Sequence, residues 1–193
     1  MSVMILDTET TGLPMNISYG NFPDPKKTED YESSRILQIG YIILKKDKII
    51  SEKEMLIRPE KEYKIPKGVP EGVIIPYEKA KLGICIDEAF SVFLDDLKKV
   101  ETIVAHNITF DINIILSECY RRKSEYLWDN IIEQIKSKKQ YCTMLHGKAF
   151  LKSKKSPRLT ELFKVFSKEE WTQKHTALND ANACLVCYRG LTM

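Results

Sequence analysis

The chain has 193 residues, 43% hydrophobic and 30% charged, with a formal net charge of +3. That is enough apolar material for a buried core, which excludes a disordered tail. Its longest near-continuous apolar stretch, ILQIGYIIL at 36–44, is far short of a bilayer span, and the N-terminus has no basic-then-apolar leader. The expectation is therefore an intracellular protein, cytoplasmic or nuclear, that is not secreted and has no membrane partner.

The first predicted strand, VMILD at 3–7, runs on into TETTGL. Strand side chains alternate faces, so Val3, Ile5, Asp7 and Glu9 point one way and Met4, Leu6 and Thr8 the other. At about 4 Å and an effective dielectric of about 20, two like charges cost on the order of 4 kcal/mol. A proton or a cation relieves such a pair. An isolated Asp-x-Glu also serves turns and helix caps, so by itself this one carries no chemistry.

Residues 14–34 hold three prolines and no steady periodicity, which predicts a long surface loop between the first two strands. Strands at 35–44 and 49–57 follow around a polar KKDK turn, and with the first they make a three-strand meander. A Pro- and Gly-punctuated segment runs from 58 to about Gly83. Over 87–100, Ala89, Phe90, Phe93, Leu94 and Leu97 recur at helical spacing. TIVAHN at 102–107 reads as a buried strand, followed by a helix over FDINIILSECYRR. A helix at 126–138, a strand at QYCT, and helices at 143–151, Leu159–Phe166 and Thr176–Leu191 complete the chain. Strand followed by helix, after a meander, predicts an α/β fold: a mixed five-stranded sheet, the meander plus parallel strands, flanked by helices. One domain over 1–193 accommodates all of it.

Five cysteines, an odd number, argue for reduced thiols. Cys184 and Cys187 form a Cys-x-x-Cys with no second pair, so burial is expected rather than zinc binding. From Lys136 to Arg158 there are eight Lys or Arg and no acid. Such a run is either a solvated face or a patch that draws phosphates.

Two further acids stand at helix starts. Asp111 follows a strand and opens a helix, a place that also suits the helix dipole. Asp180 lies one turn into the last helix, with His175 five residues before it. Each has an ordinary explanation alone. Together, Asp-x-Glu on the first strand, Asn-x-x-Phe-Asp at the central strand-to-helix junction and His-x4-Asp opening the final helix form a pattern that resembles the DEDD exonuclease superfamily, histidine subtype. This DnaQ-like group includes polymerase proofreading subunits, RNase T and oligoribonuclease, and the likeness runs from Val3 to about Leu191.

The resemblance implies an RNase H-like fold and a 3′-to-5′ exonuclease that releases nucleoside 5′-monophosphates from DNA or RNA by a two-metal mechanism. It implies that Asp7, Glu9, Asp111 and Asp180 hold two Mg2+ ions, with Mn2+ able to substitute, and that His175 is the general base. It also implies that Thr10, Thr11, Gly12 and Leu13 contact the terminal nucleotide, with Leu13 wedged between the last two bases, and that His106, Asn107 and Phe110 line the same pocket. The implied partner is a single-stranded 3′ end; pairing with a second copy or a replication partner stays open. Two rivals also stay open, a catalytically weak 3′-end binding module and a dinucleotide hydrolase. Where family members often carry His-Gly-Ile, this chain has Leu82, Gly83 and Ile84.

Overall fold

The computed structural model describes residues 2–15, 17, 21–122, 125–167, 171 and 173–192. Met1 and Met193, at the ends of the predicted domain, and residues 16 and 18–20 of the predicted loop lie outside the described residues.

β1 (Ser2–Thr10), β2 (Ile36–Lys45) and β3 (Lys48–Leu56) form an antiparallel meander. β4 (Thr102–Ala105) and β5 (Lys139–Cys142) add in parallel on the other side of β1, giving the order β3-β2-β1-β4-β5. The helices are α1 (Tyr77–Ala80), α2 (Ile86–Leu97), α3 (Ile108–Arg121), α4 (Tyr126–Ser137), α5 (Thr143–Phe150), α6 (Leu159–Phe166) and α7 (Ala177–Thr192). This is the expected mixed five-stranded sheet with flanking helices.

The alternation of β1 sorts its side chains between two cores. Met4 and Leu6 pack with Phe90, Phe93, Ile112 and Trp128 from α2, α3 and α4. Val3 and Ile5 pack with Leu162, Cys184 and Leu185 from α6 and α7. Both faces of the sheet are thus covered, which is why β2 reads as a continuous apolar run rather than an alternating one. β1 extends past the expected end at Asp7 to Thr10, and its pairing with β2 slips after Glu9, from Glu9–Gln38 to Thr10–Ile36. Such a bulge at a strand end re-aims the side chains beside it.

The KKDK turn closes the hairpin with Lys46 and Asp47 at φ 50° and 61°, the mirror-image turn geometry that matches strand twist. Arg189 of α7 donates to the Asp47 carboxylate at 3.0 Å and to its carbonyl at 2.8 Å. Two short elements lie in segments read as irregular, α1 and a 3-10 turn at Thr28–Tyr31. Both are too short to leave a periodic trace. Tyr31 is fully buried and donates its hydroxyl to the Pro23 carbonyl at 2.6 Å, so this part of the 14–34 segment is anchored in the core. All five cysteines are free, and Cys184 and Cys187 are buried in α7. Among the described residues, no helix is long and apolar enough to cross a membrane.

Candidate active site

The site assembles where β1 ends. Asp7 sits opposite Gly40 in the β1–β2 register. A Cβ on Gly40 would come within 2.4 Å of the Ala177 carbonyl carbon and the Leu178 nitrogen, so the start of α7 rests directly on β2. Ala177 donates its backbone N–H to the Gln38 side-chain oxygen at 2.9 Å, and Leu178 donates to the Glu54 carboxylate at 3.0 Å. Two strand side chains therefore satisfy the open N–H groups of the helix start, and the first turn of α7 presents Asp180 over β1.

Asp111 arrives from the opposite face of the sheet, in the first turn of α3. One of its carboxylate oxygens, Oδ1, accepts the Thr8 N–H at 3.0 Å and the Thr8 hydroxyl at 2.8 Å. Four acids from three distant segments are thereby held in electrostatic range of one another.

Burial favours the protonated form of each of them, and mutual repulsion adds to it for Asp7, Glu9 and Asp111. Burial, then the charges of Asp111, Asp180 and Glu9, hold the Asp7 carboxyl well above the usual range. Burial, Asp180 and Asp111 push Glu9 up to about 8. Burial pushes Asp111 up to about 7, against the pull of its bonds from Thr8. Burial also raises Asp180, with the Gln173 bond and His175 opposing it. The cluster is thus short of positive charge.

Its donor set fits a divalent cation. One ligand atom each from Glu9, His175 and Asp180 lies within 4.8 Å of the others. Asp180 Oδ2 accepts Gln173 Nε2–H at 2.6 Å, while its Oδ1 is buried with no hydrogen-bond partner among the described residues. Hard carboxylate oxygens with a spare lone pair are what Mg2+ or Mn2+ prefers. Asp7 and Asp111 stand beside this trio rather than within it. His175 lies just ahead of α7 in a left-handed conformation, φ 48°.

The other residues singled out from the sequence divide. Thr10, Gly12, Leu13 and Phe110 line a cavity of about 520 Å3 together with Glu9, the one acid of the cluster on its wall. Leu13, Asn107 and Phe110 also line a neighbouring cavity of about 450 Å3. Leu13 is 67% exposed between the two. Asn107, at φ 69°, is the left-handed hinge between β4 and α3. Thr11 faces elsewhere, donating its hydroxyl to the Ser33 carbonyl at 3.1 Å beside Arg35 and Glu118.

His106 is also turned away. Its Nε2 pairs with the Pro157 carbonyl at 3.1 Å, and that acceptor makes Nε2 the protonated nitrogen, leaving Nδ1 to accept the Thr143 hydroxyl at 3.0 Å. Burial pushes its pKa down to about 4, and it lines neither cavity. In this placement the imidazole ties the end of β4 to the start of α5 and the loop after it.

Thr8, Gln38, Glu54, Gln173 and Phe22 carried no signal in the sequence. The two that cap α7 lie 139 and 124 residues from their partners, where no local capping pattern points.

Curated protein sequences give no match. Among solved structures, exonuclease X in complex with 5′-overhanging duplex DNA superposes with a TM-score of 0.63 at 18% identity, over 98% of this chain and 90% of that one. A 3′-exonuclease that recognises the histone mRNA stem-loop gives 0.67 at 14%, over 98% and 63%. The zinc-bound form of the E. coli exonuclease I complex with single-stranded DNA gives 0.65 at 18%, over 95% of this chain but only 39% of that longer one. At such identities the likeness shows the fold, an RNase H-like one. The model of the RNase T family, described as Exonuclease, matches residues 4–188, and with nearly the whole chain covered this protein belongs to that exonuclease family of nucleic-acid hydrolases.

Proposed function

We propose that this chain, as one domain over 1–193 with 14–34 inserted, is a metal-dependent 3′-to-5′ exonuclease that removes nucleoside 5′-monophosphates from single-stranded 3′ ends. The observation that carries this reading is the meeting of Asp7, Glu9, Asp111 and Asp180 at one end of β1, with His175 beside them. A buried cluster of that charge is poorly suited to stability alone and well suited to holding cations against a phosphodiester.

Asp7, Glu9 and Asp180 would hold one ion and Asp111 would help to hold a second. Mg2+, two per site, or Mn2+ in its place, supplies charge relief on the phosphate oxygens and a water of lowered pKa. The protein's own groups do the rest. Thr8 fixes the Asp111 carboxylate through two bonds to one oxygen. Gln173 orients Asp180 and leaves its other oxygen free to coordinate. A ring nitrogen of His175 takes the proton of the attacking water, work for which imidazole is matched near neutral pH. Thr10, Gly12 and Leu13 border the cavity next to Glu9, where the terminal nucleotide would lie.

The test is a time course with Mg2+ on 5′-labelled single-stranded DNA, single-stranded RNA, duplex DNA and a dinucleotide. A descending ladder from the single strands, with monophosphate products, supports the reading. Binding without cleavage would make the chain a 3′-end binding module, and cleavage of the dinucleotide alone would make it a dinucleotide hydrolase.

A further inference from the structure

The basic run from Lys136 to Arg158 has no part in the mechanism above. Its eight Lys or Arg share the run with no acid, while the rest of the chain, with 22 Lys or Arg against 27 Asp or Glu, carries a formal net charge of −5. Charge is thus segregated on this molecule rather than mixed. Among the described residues the ion pairs all fall elsewhere, and none takes a side chain of this run. Lys152, Lys154, Lys155 and Arg158, the densest part, are exposed on the turn between α5 and α6.

That turn is tied at both ends. Pro157 is buried, and its carbonyl meets His106 Nε2 at 3.1 Å at the end of β4. Ser156 lines the 450 Å3 cavity with Leu13 and Phe110, so the turn begins beside the site. At its other end Lys152 closes α5 at φ 49°, a left-handed position that favours glycine, and Ser153 donates its N–H to the Lys148 carbonyl at 3.1 Å across it. A lysine stands where glycine would cost less.

We propose that Lys148 and the Lys152–Arg158 turn form a phosphate track for a single strand, on the 5′ side of its last two nucleotides. The inference rests on the exonuclease reading and deepens it, since it names the substrate as a strand several nucleotides long rather than a dinucleotide. Salt screens the field of the whole protein within about 8 Å, so an acidic body grips a polyanion only through cations at the contact itself. Such cations gain affinity by releasing the counterions of the strand. An aromatic ring stands among them: Phe150, 56% exposed, rests at 5.2 Å from the Phe166 ring and offers a base a face to stack on. With eight residues, α5 is about 12 Å long, room for about two or three further phosphates.

The experiment measures KM with the full chain and Mg2+ on a thymidylate trimer and decamer, and decamer binding by fluorescence anisotropy over a salt series. Wild type should show a KM lower by about 10-fold or more for the decamer. Lys154→Gln with Lys155→Gln should bring that ratio near one and lower the log–log salt slope of decamer binding by about 1.4, 0.7 for each lost phosphate contact. Arginine at both positions should restore ratio and slope. Lys45→Gln with Lys48→Gln removes the same charge at the end of β1 remote from Asp7, where Lys45 lies opposite Ser2 and Lys48, and should keep the ratio. Lys152→Gly should melt at or above the wild-type temperature, since glycine relieves the left-handed position, and still bind the decamer about 3-fold more weakly.

A wild-type ratio near one, a ratio unchanged by the Lys154 and Lys155 pair, or an equal loss in the Lys45 and Lys48 pair overturns the track. So does decamer binding that survives the Lys154 and Lys155 changes while adhesion to phosphatidylserine vesicles falls, which would make the surface a membrane contact. If wild type cuts neither strand but anisotropy shows a grip on the decamer that those two lysines supply, the track stands and the exonuclease reading falls.

Discussion

Thr8 donates both its backbone N–H, at 3.0 Å, and its hydroxyl, at 2.8 Å, to the same oxygen of Asp111, a residue 103 positions later. The strand that carries Asp7 and Glu9 therefore also fixes the third acid, across the edge of the sheet. Thr8→Val keeps the shape and the backbone bond and removes the hydroxyl. We expect a stability loss of about 1 kcal/mol and a fall in kcat of roughly 10-fold, because one bond then holds the Asp111 carboxylate where two did. Unchanged kinetics with the stability loss alone would reduce Thr8 to a structural role.

Asp7 feels the charge of all three other acids of the cluster. Asp7→Asn removes its charge and leaves its shape. The variant should melt, without metal, at or above the wild-type temperature, since like-charge repulsion is relieved. It should also lose both nuclease activity and the rise in Tm that Mg2+ or Mn2+ produces in wild type. A full metal-induced rise in the variant would remove Asp7 from the ligand set.

His175 is close enough to Glu9 and Asp180 to act either as base or as ligand. The two roles separate in His175→Ala. A base predicts a fall in turnover of roughly 100-fold with the metal-induced Tm rise intact. Loss of both together would make it a ligand.

Gly40 is the point where α7 meets the sheet. In Gly40→Ala the new methyl would have to displace backbone of Ala177 and Leu178, not a flexible side-chain tip. A destabilisation of about 1–3 kcal/mol is expected from such overpacking. A 10-fold or larger loss of kcat should accompany it, because Asp180 and His175 shift with the helix start. Calorimetry and steady-state kinetics on the folded fraction read the two effects separately.

Acid should loosen the protein at a different place. Glu118 is 1% exposed, and it accepts from Arg35 Nε at 2.7 Å and from Arg122 at 2.7 Å. Burial alone would raise its pKa, but the bonds and charges of the two arginines outweigh that and hold it below the usual glutamate value. A depressed folded-state pKa means the unfolded chain takes up the proton first. The stabilisation is therefore complete above the ordinary pKa and is lost as pH falls through the lower, folded value. Urea melts from pH 6 down to pH 3 should show this loss. Glu118→Gln should be less stable by about 1–3 kcal/mol at pH 7, since Arg35 and Arg122 then keep only the more exposed Glu60 as a partner, and should flatten the acid slope. An unaltered slope would place the acid sensitivity elsewhere.

The insertion between β1 and β2 was legible only in part. Its prolines and lack of period announced a long connection, and its length invited a functional reading. Nothing in NFPDP indicates that Phe22 will lie against Phe110, 88 positions later, or that Tyr31 will be fully buried. Likewise nothing beside His106 in the chain indicates that its two nitrogens will meet Thr143 and Pro157, 37 and 51 positions later.

The sequence by itself determined the strands, the longer helices and the order of the acids, because these follow from local geometry. Two-residue alternation puts Asp7 and Glu9 on one side of a strand, and Asp111 and Asp180 fall in first helical turns whatever surrounds them. Only the tertiary structure decided which groups hold those acids in place. Gly40 clears the way for α7, Gln38 and Glu54 cap it, Thr8 and Gln173 aim two carboxylates, and Phe22 walls the second cavity. The physical reason is that long-range pairs such as Gln38 with Ala177 and Glu54 with Leu178 leave no periodic trace in the chain, and they come into being only when the sheet brings its two faces of helices to the same end of β1.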